Sequence, residues 1–585
     1  MTSLAERATR LHLSSFLTKP VDIANYFNDY FTNKVCKLRQ EMPTPHCEPL
    51  YSCMQDKIMN DKKCSFEFCK VTIEEVEKLL LSINNEKPPG IDNLDGELLR
   101  MVADHIATPI CNIFNLSLDN NMCPQIWKEA KVIPLPKNTH AAFTGSNSRP
   151  ISLLPVMSKL LEKIVFDQIQ CYFSINNLTS IYQHAYREGH STSTALTQMT
   201  DDWLKDIDQQ NIVEAVLLDF SAAFDVIDHN LLLKKLKCYG FTPSAVAWIE
   251  SYLTNRKQKV FFNGSLSNPR HLQCGIPQGS SLGPLLFSIF TNDLPLVCKK
   301  ACMSMYADDS TLYMSAPTVK EITSALNKEL QMVFKWVSDK LVLNISKTKS
   351  IVFETKHSLS SKPQLNLVLN NVAVEQVQET KLLGVTLDSK LSWSRHIDLL
   401  VQKMGRNISV VKRCSSFLTP HLSKQVLQTL VLSQLDYCSV VWSGTTKTNL
   451  GKLQRVQNRA ARLALKCTSR TNVKNMHDRL FWLKVDERLK ASLLSFIKKC
   501  NTLKTPNCLF RQLTLSSNVY TYPTRHATSG NYTIPTIKTN SKQRTVLCRA
   551  MVEWNSLPDH ISKTQNKAGF KKQVKQHLMA VSIGY

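Results

Sequence analysis

Apolar residues at Val71, Ile73, Val76, Leu79 and Leu80 recur at helical spacing, and Pro88-Pro89-Gly90 lies where such a helix is expected to stop. A helical lead-in is expected over 22–40, with a linker containing proline and cysteine over 42–53. A further helix is expected over 95–120 and a strand over 130–135. Between 211 and 400, short β-rich runs alternate with helical ones, which favours an α+β fold over an all-helical one. A buried strand is expected over 213–220 and a helix over 229–239 with Gly240 at its C-terminal cap. Two hairpins follow. In one, 259–264 pairs with 270–274 across Asn263-Gly264. In the other, 303–306 pairs with 310–314, with Ala307-Asp308-Asp309 at the tip. A helix over 319–338 and strands over 341–343 and 350–353 complete this stretch. Beyond residue 400 the pattern is helical, notably over 450–465, and 521–541 reads as a polar, loop-rich stretch.

Composition narrows the class. The chain has 585 residues, 43% of them hydrophobic and 20% charged. Its mean hydropathy of −0.18 argues for a folded chain and against a membrane protein. No apolar run approaches the ~20 residues that span a bilayer, and the first twenty residues lack the apolar core of a secretory signal. An intracellular protein is expected, in nucleus or cytoplasm. The net charge of +25 is unevenly placed: residues 401–585 hold 31 basic against 6 acidic residues, while residues 1–400 hold 41 of each. A neutral body with a basic C-terminal part suits a polyanion such as nucleic acid. Lys452, Arg455, Arg459 and Arg462 recur at spacings of three to four and share one helical face. The eighteen cysteines have no regular spacing and read as reduced thiols; zinc is not expected, because neither Cys64/Cys69 nor Cys298/Cys302 has a second ligand pair.

The candidate chemistry lies in two acidic clusters that interrupt apolar strands. Asp219 closes Ala215-Val216-Leu217-Leu218, and Asp308-Asp309 stands between two β-rich runs. Taken singly, Asp219 reads better as an acid at a helix N-terminus and Asp308-Asp309 as ordinary turn residues. Together they suit magnesium, which prefers oxygen ligands and is held by one or two carboxylates plus substrate phosphates. Two such ions ~3.5–4 Å apart would serve phosphoryl transfer.

Three segments in order carry a resemblance: Asp219-Phe220-Ser221-Ala222-Ala223-Phe224-Asp225, Gly275-Ile276-Pro277-Gln278-Gly279-Ser280-Ser281-Leu282-Gly283-Pro284, and Tyr306-Ala307-Asp308-Asp309. Flanking them are Arg149-Pro150-Ile151-Ser152-Leu153-Leu154, Asn344-Ile345-Ser346-Lys347-Thr348-Lys349 and Leu383-Gly384-Val385. The set resembles the reverse transcriptases of LINE-type (non-LTR) retrotransposons, strongly over residues 70–400 and more weakly through 454–463 and 554–558. Ser148 stands where the family has an aromatic residue, Ala185 where it has glycine and His190 where it has arginine. The family's polyproteins carry an upstream endonuclease, and residues 1–70 do not read as one.

The resemblance implies an RNA-directed DNA polymerase that extends a DNA primer on an RNA template with deoxynucleoside triphosphates and two magnesium ions, manganese being the alternative metal. A catalytically inactive nucleic-acid-binding remnant is the competing reading. The implied architecture is a right hand. Residues 1–69 are a lead-in, 70–400 are fingers and a palm whose antiparallel sheet carries the carboxylates, and 401–585 are a basic, mainly helical thumb and C-terminal region. Asp219, Asp308 and the Phe220 carbonyl are the implied metal ligands, with Asp309 beside them and Lys347 as the proton donor to pyrophosphate. Phe224, Gln278, Gly279, Arg149 and Lys137 are implied nucleotide contacts. Leu383-Gly384 would hold the primer end, and Lys452, Arg455, Arg459 and Arg462 would grip primer and template. Trp393, Trp442 and Trp482 are expected in the core, with base stacking as the alternative.

Overall fold

The computed structural model describes residues 19–43, 65–84, 88–137, 143–353, 365–519, 530–536 and 539–581. Most of the expected 42–53 linker and of the 521–541 loop lies outside them. Its strands are β1 (Glu129–Pro136), β2 (Ser148–Leu153), β3 (Ile212–Leu218), β4 (Arg256–Phe262), β5 (Ser265–Leu266), β6 (Arg270–Leu272), β7 (Cys302–Tyr306), β8 (Asp309–Ala316), β9 (Lys349–Phe353), β10 (Val368–Leu369), β11 (Val372–Ala373), β12 (Glu375–Gln376), β13 (Glu379–Leu382) and β14 (Val385–Asp388). With many helices around mixed and antiparallel sheets, the fold is mixed α/β. It divides into two units interleaved along the chain.

The first unit draws on the chain up to Gln183, on Phe220–Val297 and on Met332–Asn344. Its sheet runs β2-β1-β4-β5, with β6 also on β4. β1 pairs antiparallel with β2 and parallel with β4. Asn263 and Gly264, both at positive φ, turn β4 directly into β5, the conformation that makes Asn-Gly the strongest hairpin dipeptide. The expected second partner, beginning at Arg270, returns to the start of β4 instead. The N-terminal helix Pro20–Gln40 lies on this sheet. Its buried Phe27 packs with Phe262 and Phe143, and buried Asn28 donates to Ser267 Oγ at 2.9 Å and accepts from Gln258 Nε2 at 2.8 Å.

Helix boundaries follow local chemistry. Thr72 and Glu75 form a reciprocal capping box that starts the helix Ile73–Leu81, which ends well before Pro88. The stretch expected as one helix over 95–120 is two, Gly96–Met101 and Ala103–Asp119. They part at Val102 (φ −106°, ψ 18°), a β-branched residue with weaker helix propensity. The expected strand over 341–343 is a single bridge between Leu343 and Phe220. The Leu341 amide still closes the turn after the helix Val319–Val337 by donating to the Val337 carbonyl, so the chain extends too late to form a ladder.

The second unit draws on His184–Asp219, Cys298–Gln331 and the chain from Ile345. Its sheet runs β12-β9-β3-β8-β7, with β3 central and antiparallel to both β8 and β9. Against it packs the helix Thr192–Asp208, whose buried Trp203 stacks on Phe353 with centroids 4.6 Å apart. This core continues through the helical region beyond residue 390 and takes in Trp393, Trp442 and Trp482. All three tryptophans are core residues, as expected.

Glu214, in the middle of β3, is wholly buried. Burial pushes its carboxyl up to about 8, and the Ser350 hydroxyl only partly restrains that rise. A carboxyl whose pKa is higher in the folded chain than in the unfolded one contributes stability that is complete below the unfolded value, near 4.5, and is lost as pH rises through the folded value. Glu214→Gln should therefore be more stable than the parent at pH 8.5 by an amount on the order of 3 kcal/mol and should lose that advantage by pH 5. Urea melts of both chains at the two pH values check this.

Candidate active site

The acids sit where strand register puts them. β7 and β8 pair Tyr306 with Asp309, so Ala307-Asp308 is a two-residue hairpin loop, with Ala307 at positive φ. β3 and β8 pair Leu218 with Ser310. Continuing that register by one residue brings Asp219 across from Asp309, and directly opposed positions place Cβ atoms roughly 5 Å apart. The Asp219 amide donates to Thr348 Oγ1 at 3.4 Å. Asp219, Asp309 and Lys347 line one open cavity of about 610 Å³ together with Ser310, Lys349 and Lys381. Asp308 stands at the hairpin tip rather than on this lining.

The three carboxylates feel one another. The Asp309 carboxyl is pushed up to about 6, first by loss of surrounding water and then by the negative charges of Asp308 and Asp219, although the residue still reaches solvent. Crowded carboxylate oxygens of this kind are relieved by a hard divalent cation. Among the described residues no three His, Cys, Asp or Glu side chains are drawn up as a ready-made cage. The acids instead offer an open set of the kind that leaves positions for water and phosphate.

The second unit adds two further pieces. β13 and β14 form a hairpin whose two-residue tip is Leu383-Gly384, both at positive φ. The Tyr437 hydroxyl donates to the Leu383 carbonyl at 2.8 Å, and its ring lies where a side chain on Gly384 would be. The segment after Gln183 is tied to β7 by the His184 amide, which donates to the Met305 carbonyl at 2.9 Å. In that segment Ala185 is buried and His190 turns its Nδ1 to the Glu188 carbonyl. Tyr186 is 44% exposed, and its hydroxyl is raised by burial and then by the Asp308 charge.

The first unit holds the other expected contacts. Phe224 is half-buried and stacks on buried Phe287, centroids 4.3 Å apart. The Ile276 amide donates to the Phe224 carbonyl and the Gly275 amide to the Ile227 carbonyl, both at 2.8 Å, so the two motif segments share one backbone frame. Gln278 donates from Nε2 to both carboxylate oxygens of Asp225, at 2.9 and 2.8 Å. The Gln278 backbone carbonyl accepts from the Ser152 amide at 2.8 Å. Gly279 has φ +124°, and a Cβ there would run into the Ser152 carbonyl oxygen. Arg149 is exposed on β2 opposite Leu135, and the Lys137 ammonium donates to the Ser146 carbonyl at 2.8 Å. Phe220 pairs through its backbone with Leu343.

Three supporting residues carry no role that the sequence alone reveals. Asp225 lies inside the first motif segment, where nothing local marks it as a partner of Gln278. Buried Glu162 accepts from the Ser281 and Leu282 amides at 2.6 and 3.3 Å and so anchors the loop after Gly279 at the start of the helix Gly283–Thr291. Tyr437 has no local signal at all. Of the four basic residues expected on one helical face, Arg455 and Arg459 are exposed, while Lys452 is paired with Asp398 at 2.7 Å and Arg462 is half-buried.

Acids thus stand at the end of a central antiparallel strand and at the adjoining hairpin tip, in a chain that also holds a glycine-bearing Pro-Gln-Gly loop. Residues 135–387 match the family model of the reverse transcriptase (RNA-dependent DNA polymerase). A probable RNA-directed DNA polymerase from transposon BS of Drosophila melanogaster is 28% identical over 445 residues, which cover 74% of this chain and 49% of that protein. The RNA-directed DNA polymerase from the jockey mobile element of the same species is 26% identical over 480 residues, covering 80% and 51%. A Pol polyprotein from an R1 element of Bradysia coprophila is 25% identical, covering 73% and 43%. The chain is thus similar to reverse transcriptases of retrotransposable elements and spans about half the length of the curated relatives it matches.

Gly279→Ala tests the close approach in the loop. Left-handed strain and the collision with Ser152 should lower stability by about 1–3 kcal/mol, read as a lower denaturant midpoint with an unchanged slope.

Proposed function

We propose that this chain is an RNA-directed DNA polymerase that extends a DNA 3′ end on an RNA template with deoxynucleoside triphosphates. The observation that carries the reading is the strand register that sets Asp219 across from Asp309 beside the Asp308 tip. In this reading Asp219 and Asp308 are the principal ligands of two divalent ions, assisted by Asp309 and the Phe220 carbonyl. Bound metal lowers the pKa of the attacking hydroxyl and neutralises charge on the leaving phosphates. In the same reading Lys347 gives a proton to departing pyrophosphate; its place on the cavity lining with Asp219 and Asp309 supports this.

Phe224, stacked on Phe287, offers a rigid ring edge to the sugar and leaves no room for a 2′-hydroxyl. Gln278 and Gly279 meet the nascent base pair, and Arg149 with Lys137 clamps the triphosphate. Leu383-Gly384 supports the primer end. Exposed Arg455 and Arg459, with Lys452 and Arg462, grip the nucleic-acid backbone, where neutralised phosphates supply affinity that falls with salt. Residues 70–400 act as fingers and palm and 401–585 as a thumb with its C-terminal extension; residues 1–69 lead into them. No helix among the described residues is long and apolar enough to cross a membrane, and we place the work inside the cell, in nucleus or cytoplasm, with the nucleic acids it copies.

Purified chain with oligo(dT)-primed poly(rA), dTTP and Mg²⁺ should extend the primer, and Asp308→Asn or Asp219→Asn should reduce extension to background with primer–template binding kept. Binding without extension by the parent chain would instead identify an inactive relative. In the same assay, with ribonucleotide offered against deoxynucleotide, Phe224→Ala should raise ribonucleotide incorporation at least about tenfold, the ratio that corresponds to ~1.4 kcal/mol of discrimination.

A further inference from the structure

Gln278 lines a second cavity, of about 500 Å³, within the first unit. What the carboxamide shows a ligand depends on which way round it is held, since its oxygen and nitrogen ends have nearly the same shape. An ionised carboxylate only accepts hydrogen bonds, and both oxygens of Asp225 lie within 2.9 Å of Gln278 Nε2. The nitrogen end is therefore committed to Asp225, and Oε1 is left as an acceptor with no hydrogen bond from the described residues. Asp225 is itself fixed. The Cys274 thiol donates to its carbonyl at 3.4 Å, and Gly275, at φ +83°, lies so close that a Cβ there would strike the Asp225 backbone. Burial pushes the Asp225 carboxyl up to about 6, while the Gln278 amide and then the charge of Lys34, which the helix Pro20–Gln40 brings to the same cavity, favour the ionised form that prevails above that pH. The neighbouring Arg39 is engaged elsewhere, with Asp228 at 2.7 Å.

We propose that Asp225 is a positioning residue of the nucleotide site: it locks the Gln278 carboxamide so that the site presents an acceptor and selects a ligand offering a donor, a sugar hydroxyl or a base amino group. The proposal rests on the polymerase reading and deepens it. It also gives the N-terminal helix a part in the site, through the Lys34 charge, that its sequence did not announce. Without Asp225 the two orientations of the amide become nearly equivalent, and the site loses its preference.

Single-nucleotide extension on oligo(dT)-primed poly(rA) tests this with Asp225→Ala, Asp225→Asn, Gln278→Ala and the double variant. Asp225→Ala should raise the KM for dTTP about tenfold, the scale of one charge-assisted hydrogen bond, with kcat within about twofold of the parent. It should add nothing in the Gln278→Ala background, because the two residues act as one. Asp225→Asn, nearly the same size and able to hold the amide either way round, should raise KM several-fold. A KM unchanged in Asp225→Asn, or an Asp225→Ala effect as large without Gln278 as with it, overturns the proposal; the Asn variant decides alone should the Ala variant fail to fold. The same series is read as dTTP binding to the primed complex in Ca²⁺ by titration calorimetry. A parent that binds dTTP without extending sinks the polymerase reading while the binding series still decides on Asp225; a parent that binds no dTTP sinks both.

Discussion

The antiparallel pairing of β3 with β8 is the constraint on which the acidic cavity depends. Side chains along a strand alternate between faces, so a slip of one residue would turn every side chain of β3 over and carry Asp219 away from Asp309. Both neighbours hold the register. β8 matches β3 over seven consecutive pairs from Ile212–Ala316 to Leu218–Ser310, and β9 matches it from Val213–Phe353 to Leu217–Lys349. The core holds it again, because Val213 and Ala215 face the cluster that contains Trp203 and Phe353. A carboxylate that water alone would leave free to wander is thus placed by apolar packing on the strand that leads to it.

Much of this was legible in the sequence because the signals were local. The Asn263-Gly264 turn, the hairpin around Asp308, the helix over 229–239 (His229–Cys238 in the structure) and the helical region beyond 400 all follow from periodicity and turn chemistry within a few residues. The acids were legible for the same reason: a charge interrupting an apolar strand stands out. Residues that act across long separations were not. Gln278 finds Asp225 fifty-three positions away, Tyr437 finds Leu383 fifty-four away, and Asn28 finds Ser267 across 239. No pattern confined to a few helical turns reports such partners. The break at Val102 and the single bridge at Leu343 were missed for a different reason, since propensity there is weak and tertiary context decides.

Buried carboxylates recur as anchors at the starts of helices. Glu162 receives the amides that open the helix Gly283–Thr291, and Asp201 receives the Val546 and Leu547 amides at 2.6 and 3.0 Å at the start of Val546–Asn555. In each, burial raises the carboxyl's pKa while the donated amides pull it back. Helix starts elsewhere receive a cap from their own sequence, as at Thr72 and Asp228. Long-range caps cost more desolvation but tie distant segments together, and that suits loops whose backbone must hold its shape against a ligand.

The interleaving of the two units bears on how the chain comes into being. The first unit is incomplete until residues 332–344 have been made, and the second takes chain from His184 through the helix Lys567–Val581. During synthesis the earliest segments must wait for partners hundreds of residues downstream, which raises contact order and slows productive collapse. Until then the apolar face of β3 has no finished core to cover it.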